Sequence, residues 1–148
     1  MGDRVTKPFR VIEPKDHDSI RSAISIAVSA GSKAWMRLID VEQGTARLFR
    51  GEIPSFIVAE TYLLVAAPCT PWYSGDDTKV LSEHIVIKVY DGPGKFQDVV
   101  GALHALAHHW GCQGICVGTA LAPIDNALAR LYERHGFTKQ AFELFKEI

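Results

Sequence analysis

Residues 125–137 read Asp-Asn-Ala-Leu-Ala-Arg-Leu-Tyr-Glu-Arg-His-Gly-Phe, and this stretch decides the fold. Leu128, Leu131 and Tyr132 fall on one side of a helical repeat. Pro123 and Asp125 are start signals, and His135-Gly136 is a stop. The spacing predicts a helix over 126–134, with Phe137 anchoring the chain in the core just beyond it.

Working outward, Ile115 to Leu121 reads as a buried strand. The segment from Gln97 to Trp110 reads as a helix whose stripe is Val99, Leu103, Leu106 and Trp110. Gly111 is its natural terminator. Glu83 to Tyr90 is a further strand, ended sharply by Asp91-Gly-Pro-Gly94. Ser55 to Ala67, rich in β-branched and aromatic residues, reads as one long bent strand with Glu60 inside it. At the N-terminal end, Phe9 to Glu13 alternates as a short strand. After it, Asp16 and Asp18-Ser19 open a helix carrying Ile20, Ala23, Ile24, Ala27 and Val28, and Ala34, Trp35 and Leu38 resume the stripe. Gly44, Gly51 and Pro54 punctuate 41–54, which reads as loop with at most a short helix or strand. Phe142 to Ile148 reads as a final strand. The order β–α–β–β–α–β–α–β implies an α/β fold: one domain over 1–148, with a mixed, mostly antiparallel central sheet flanked by helices.

Composition narrows the function classes. A chain of 148 residues that is 47% hydrophobic and 22% charged is neither disordered nor a disulfide miniprotein. Its net charge of −1 gives no electrostatic footprint for nucleic acid or an anionic membrane. The longest apolar run, Leu63 to Pro68, is too short to span a bilayer. The start Met-Gly-Asp-Arg has no apolar signal core, and the three cysteines make no disulfide framework, so a cytoplasmic protein is expected.

Several constellations bear chemistry. Asp91-Gly-Pro-Gly94-Lys95 sits between a strand and a helix, where backbone N–H groups can face a phosphate. Val89 and Phe96 break the Walker pattern there, and the third glycine of a dinucleotide fingerprint is missing. His104, His108 and Cys112 are spaced four apart, but Gly111 ends the helix before Cys112, and no metal site is expected. Glu60, Glu83 and His84 are acid–base candidates at strand positions.

Leu131-Tyr132-Glu133 to Gly136-Phe137, with the strand–turn–helix–strand order before it, resembles the acetyl-CoA half of the GCN5-related N-acetyltransferases over residues 83–148. The resemblance implies that strands 83–90 and 115–121 splay around the pantetheine arm of acetyl-CoA, with the backbone of Val89 and Tyr90 facing it. Tyr132 takes the family's general-acid position. Glu83, His84 or Glu60 would act as the base toward an attacking amine, on a small molecule or a protein. Gly92, Gly94, Lys95, Phe96, Gln97 and Asp125 take the cofactor positions. The family's Gln/Arg-x-x-Gly-x-Gly/Ala loop matches Asp91–Phe96 at Gly94 alone, and Asp125 stands where Asn is common.

Two functions follow as expectations. One is an acetyl-CoA-dependent N-acetyltransferase with an open nest of N–H groups over 91–98. The other is a non-catalytic, phage-encoded interaction or assembly module with that nest plugged by Phe96 and an apolar patch around Trp72 and Tyr73. A C-terminal edge strand would offer pairing between two copies as a homodimer.

Overall fold

The β-branched and aromatic runs build a five-stranded sheet in the order β1-β2-β3-β4-β5. Its strands are β1 (Phe9–Val11), β2 (Ser55–Val58), β3 (Tyr62–Cys69), β4 (Val80–Lys88) and β5 (Gly114–Cys116). The computed structural model describes residues 9–31, 33–119, 125–141 and 143–148. All neighbouring strands pair antiparallel except β4 and β5, which are parallel. The mixed, mostly antiparallel sheet expected from the sequence is therefore present, with helices α1 (His17–Ala30), α2 (Val41–Phe49), α3 (Phe96–His109) and α4 (Asp125–Glu133) around it.

Both faces of the sheet are covered, so β3 carries four consecutive fully buried residues, Leu63, Leu64, Val65 and Ala66. Ile57, Leu63 and Val65 pack with Ile20, Ile24 and Leu48 of α1 and α2. Phe56, Val58, Leu64 and Leu81 pack on the other face with Val99, Leu103 and Leu106 of α3 and with Tyr132 of α4.

The expected strand 55–67 is two strands. The chain reverses at Ala59 and Glu60, whose φ angles are +49° and +50°. Thr61 N–H donates to Val58 O (2.9 Å), closing a type I′ turn whose twist matches the flanking strands. Glu60 thus leaves the strand interior for a hairpin tip. Residues 41–49, expected as loop with at most a short helix or strand, form the short helix α2, because the Asp40 carboxylate accepts from Gln43 N–H (3.0 Å) and Thr45 and Leu48 are buried on one face. Strand β4 begins earlier than expected, at Val80, and ends at Lys88. Val89 and Tyr90 instead turn their N–H groups to Thr61 O (2.9 and 3.0 Å).

Of the expected strand 115–121, β5 supplies residues up to Cys116, and residues 120 and 121 lie outside the described ones. The expected final strand is not formed over 143–148, and residue 142 lies outside the described residues. No ladder pairs those last residues with the sheet, and Glu147 is held instead by Arg37 (3.0 Å). Among the described residues no helix is long and apolar enough to cross a membrane.

Candidate active site

The parallel pairing of β4 and β5 is brief. It runs from Val80↔Gly114 to Ser82↔Cys116 and then stops. At the same level the β3–β4 register shifts: Val65 faces Ile85 and Ala66 faces Glu83, leaving exposed His84 as the extra residue of a bulge. The two parallel strands therefore fork just where Glu83 and His84 stand. Glu83 spans the vertex, its Oε2 accepting from Gly118 N–H (2.9 Å), and Lys33 Nζ donates to Thr119 O (2.6 Å) beside it.

Burial pushes the Glu83 carboxyl up to about 7, only partly opposed by the Gly118 N–H. Tyr132 lies close enough that the Glu83 charge adds to the effect of burial in raising the phenol above its ordinary value. The Tyr132 hydroxyl is buried with no hydrogen-bond partner, and its ring packs against Phe96 (4.9 Å) and Phe137 (5.2 Å). An orphaned buried hydroxyl costs about 1–3 kcal/mol, and no described residue supplies this one with an acceptor.

Beyond the vertex a groove of about 670 Å³ opens. Its floor is Val86 to Lys88 of β4 with Val89 just beyond, one wall is Ala23, Ile26 and Ala27 of α1, and the other is Leu128 and Leu131 of α4. The outer edge of β4 from Glu83 to Lys88 has no strand partner among the described residues. Peptide groups along an open edge, between apolar walls, complement a slender chain of alternating amides and methylenes.

In the 91–98 turn, Gly94 N–H donates to Thr61 Oγ1 (2.8 Å) and Lys95 N–H donates to Asp98 Oδ2 (2.7 Å). A Cβ on Gly92 would lie 2.5 Å from both Glu60 O and Thr61 Oγ1, and one on Gly94 2.7 Å from Thr61 Oγ1. The glycines admit the β2–β3 hairpin, and that hairpin occupies the space. Gly92→Ala is accordingly expected to destabilise by about 1–3 kcal/mol, because backbone must shift. A thermal melt reads this as a fall of roughly 3–10 °C.

The remaining residues singled out from the sequence scatter. Glu60 is tied at the hairpin tip to Arg10 (2.6 Å), which holds its carboxyl below the ordinary value, and it does not join the fork. Tyr90 donates its hydroxyl to Asp16 Oδ1 (2.5 Å). Lys95 and Gln97 are exposed at the start of α3, and Asp125 begins α4 with its side chain outside the described ones. His104, His108 and Cys112 line a separate cavity of about 500 Å³ with His135. Among the described residues no three of His, Cys, Asp or Glu are disposed to hold a metal.

Sequence reasoning missed Thr61 and Asp98, and it gave Asp16 only a helix-capping role, whereas its buried carboxylate binds Arg10 and Tyr90. Asp98 had a local signal, an acidic residue at the third helical position that can cap the turn before it. Thr61 had none, since its partner Gly94 lies 33 positions away.

No family model matches the sequence, and no curated protein matches it. Solved structures do match. An acetyltransferase of Trypanosoma brucei superposes with a TM-score of 0.66 at 15% identity, over 95% of this chain and 98% of the other. A protein named as a transcriptional regulator of Bacillus halodurans superposes with a TM-score of 0.67 at 17% identity, over 95% and 98%. A predicted acetyltransferase of Clostridium acetobutylicum, solved with acetyl-CoA, gives 0.62 at 14% identity, over 94% of each chain. Identities this low establish the architecture alone. With its parallel pair forked at a bulge inside an otherwise antiparallel sheet, the chain has the fold of the GCN5-related N-acetyltransferases.

Proposed function

We propose that this chain transfers an acetyl group from acetyl-CoA to an amine by direct attack at the β4–β5 fork. The supporting observation is the pair at its vertex: a carboxyl near neutrality, Glu83, beside a buried hydroxyl with no acceptor, Tyr132. The donor supplies an activated carbonyl and a thiol leaving group. Glu83 as carboxylate takes the proton of the incoming amine, and a value near 7 leaves it largely ionised in mildly alkaline solution while it remains basic enough to accept. Tyr132 keeps its proton until a sulfur-bearing group enters reach of the hydroxyl. The groove walls fix the approach of the donor, and orientation supplies much of the acceleration. The acceptor is a small-molecule or protein amine.

A second reading, a non-catalytic assembly module, draws support from the closed 91–98 turn and from Trp72 and Tyr73, which are 92% and 75% exposed. The experiment that separates the two is an acetyl-transfer assay over a panel of primary amines, with Tyr132→Phe alongside. If the hydroxyl acts in the reaction, Tyr132→Phe lowers turnover roughly tenfold or more. It also raises stability by about 1 kcal/mol, since an unsatisfied group is removed. Absence of turnover with every amine, together with absence of a thermal shift by acetyl-CoA, would overturn the enzyme reading.

A further inference from the structure

The groove and the turn make opposite demands on a CoA thioester. Along the groove everything suits the arm: an open strand edge, apolar walls and an unsatisfied hydroxyl near the vertex. At the turn, two of the N–H groups and the glycine surfaces that seat a diphosphate elsewhere are used by the protein itself. A diphosphate is normally held by consecutive free N–H groups at a helix start and by close backbone approach at glycine. Here Gly94 N–H is spent on Thr61 and Lys95 N–H on Asp98, and the glycine surfaces are filled by the hairpin. The first turn of α3 already carries a carboxylate, Asp98, which occupies the positive end of the helix dipole. Asp91 adds a second, fully exposed negative charge, and it lies 3.7 Å from Lys88 Nζ, offsetting that cation. The ring of Phe96 turns onto Tyr132 and His135, with centroids at 4.9 and 6.0 Å.

We infer that donor recognition is confined to the pantetheine arm, so that the chain takes pantetheine thioesters whether or not a nucleotide is attached. This rests on the groove being the donor site, as in the proposed function. The nucleotide of CoA then trails into solvent without adding affinity.

The test compares CoA, pantetheine and adenosine 3′,5′-bisphosphate as ligands of the whole protein, by calorimetry and by thermal shift. CoA and pantetheine are expected to bind with dissociation constants within about threefold of one another, while the bisphosphate neither binds nor competes. One charged hydrogen bond to a phosphate is worth roughly tenfold or more in affinity, so a single seated phosphate would be visible. The CoA affinity is also expected to be unchanged between about 50 and 500 mM salt, where phosphate–cation contacts are screened. CoA binding tenfold or more tightly than pantetheine, bisphosphate competition, or a steep salt dependence overturns the inference and leaves the acetyltransferase reading standing. Failure of both CoA and pantetheine to bind overturns that reading, and this inference with it.

Discussion

Glu83→Gln is expected to lower acetyl transfer about a hundred- to a thousandfold, within the range general bases contribute, while making the protein more stable. The opposite signs have one cause. In the folded chain the carboxyl is raised from 4.5 to about 7 because burial penalises its charge. Between those two values the folded protein holds a proton that the unfolded chain has released. Stability is therefore full below about pH 4.5, falls as pH rises toward 7, and is flat above. A difference of that size corresponds to at most about 3 kcal/mol, and partial solvent access at the fork reduces it to about 1–3 kcal/mol.

Glutamine keeps the acceptor oxygen for Gly118 N–H and carries no charge to desolvate. The melting temperature of Glu83→Gln at pH 8 is expected to exceed the wild type by roughly 3–8 °C, with the slope between about pH 5 and 7 gone. Wild-type turnover is expected to run the other way, rising with pH through about 7 as the carboxylate forms. Paired pH profiles of rate and melting temperature check both halves. A Glu83→Gln variant that retains turnover and its inflection near 7 would remove Glu83 from the reaction.

The largest loss of stability is expected from Asp16→Ala, about 3–5 kcal/mol, because one buried carboxylate serves three donors. Asp16 is fully buried and accepts from Arg10 Nη1 and Nη2 (2.7 and 2.9 Å), from the Tyr90 hydroxyl (2.5 Å) and from Glu13 N–H (2.8 Å). Removing it leaves a partly buried guanidinium and two hydrogen-bond donors facing a void. A fall of roughly 10 °C or more in melting temperature is the readout. The Arg10 guanidinium, with Tyr90 and Glu13, holds the Asp16 carboxyl far below its ordinary value. Its stabilisation is thus complete above the unfolded value of 3.8 and is lost as pH falls below it. Wild type is expected to lose stability steeply in acid, and the alanine variant to lack that component. A variant within about 1 kcal/mol of wild type would show that the cluster contributes specificity of packing only.

Much of the architecture was legible because local signals agreed with the tertiary structure. The α3 stripe of Val99, Leu103 and Leu106 is buried where its spacing placed it, and Gly111 and Gly136 both adopt positive φ at helix ends. The hairpin at Ala59-Glu60 was illegible because turns of that type usually announce themselves with Asn or Gly. Here two ordinary residues take left-handed geometry within an otherwise strand-like run. Helix α2 was hidden by Gly44, whose position faces open space, so glycine there weakens the helical pattern without breaking the helix. At the site, Glu83 could be nominated from its residue type at a strand position and Tyr132 only through the family resemblance, whereas the bulge that aims Glu83 into the fork is a property of the pairing with β3. The closure of the 91–98 turn depends on a residue from another hairpin, which no reading of the turn itself could supply.

That residue, Thr61, bears on what this chain can bind. Its buried hydroxyl accepts a hydrogen bond from Gly94 N–H and donates one to Ala59 O (2.9 Å), taking the hydrogen bond a ligand oxygen would otherwise take. The chain carries a built-in surrogate for an anion, fixed in place during folding and present at unit occupancy. On the inference drawn above, nucleotide binding in this chain is set one hairpin away from the 91–98 turn, at Thr61.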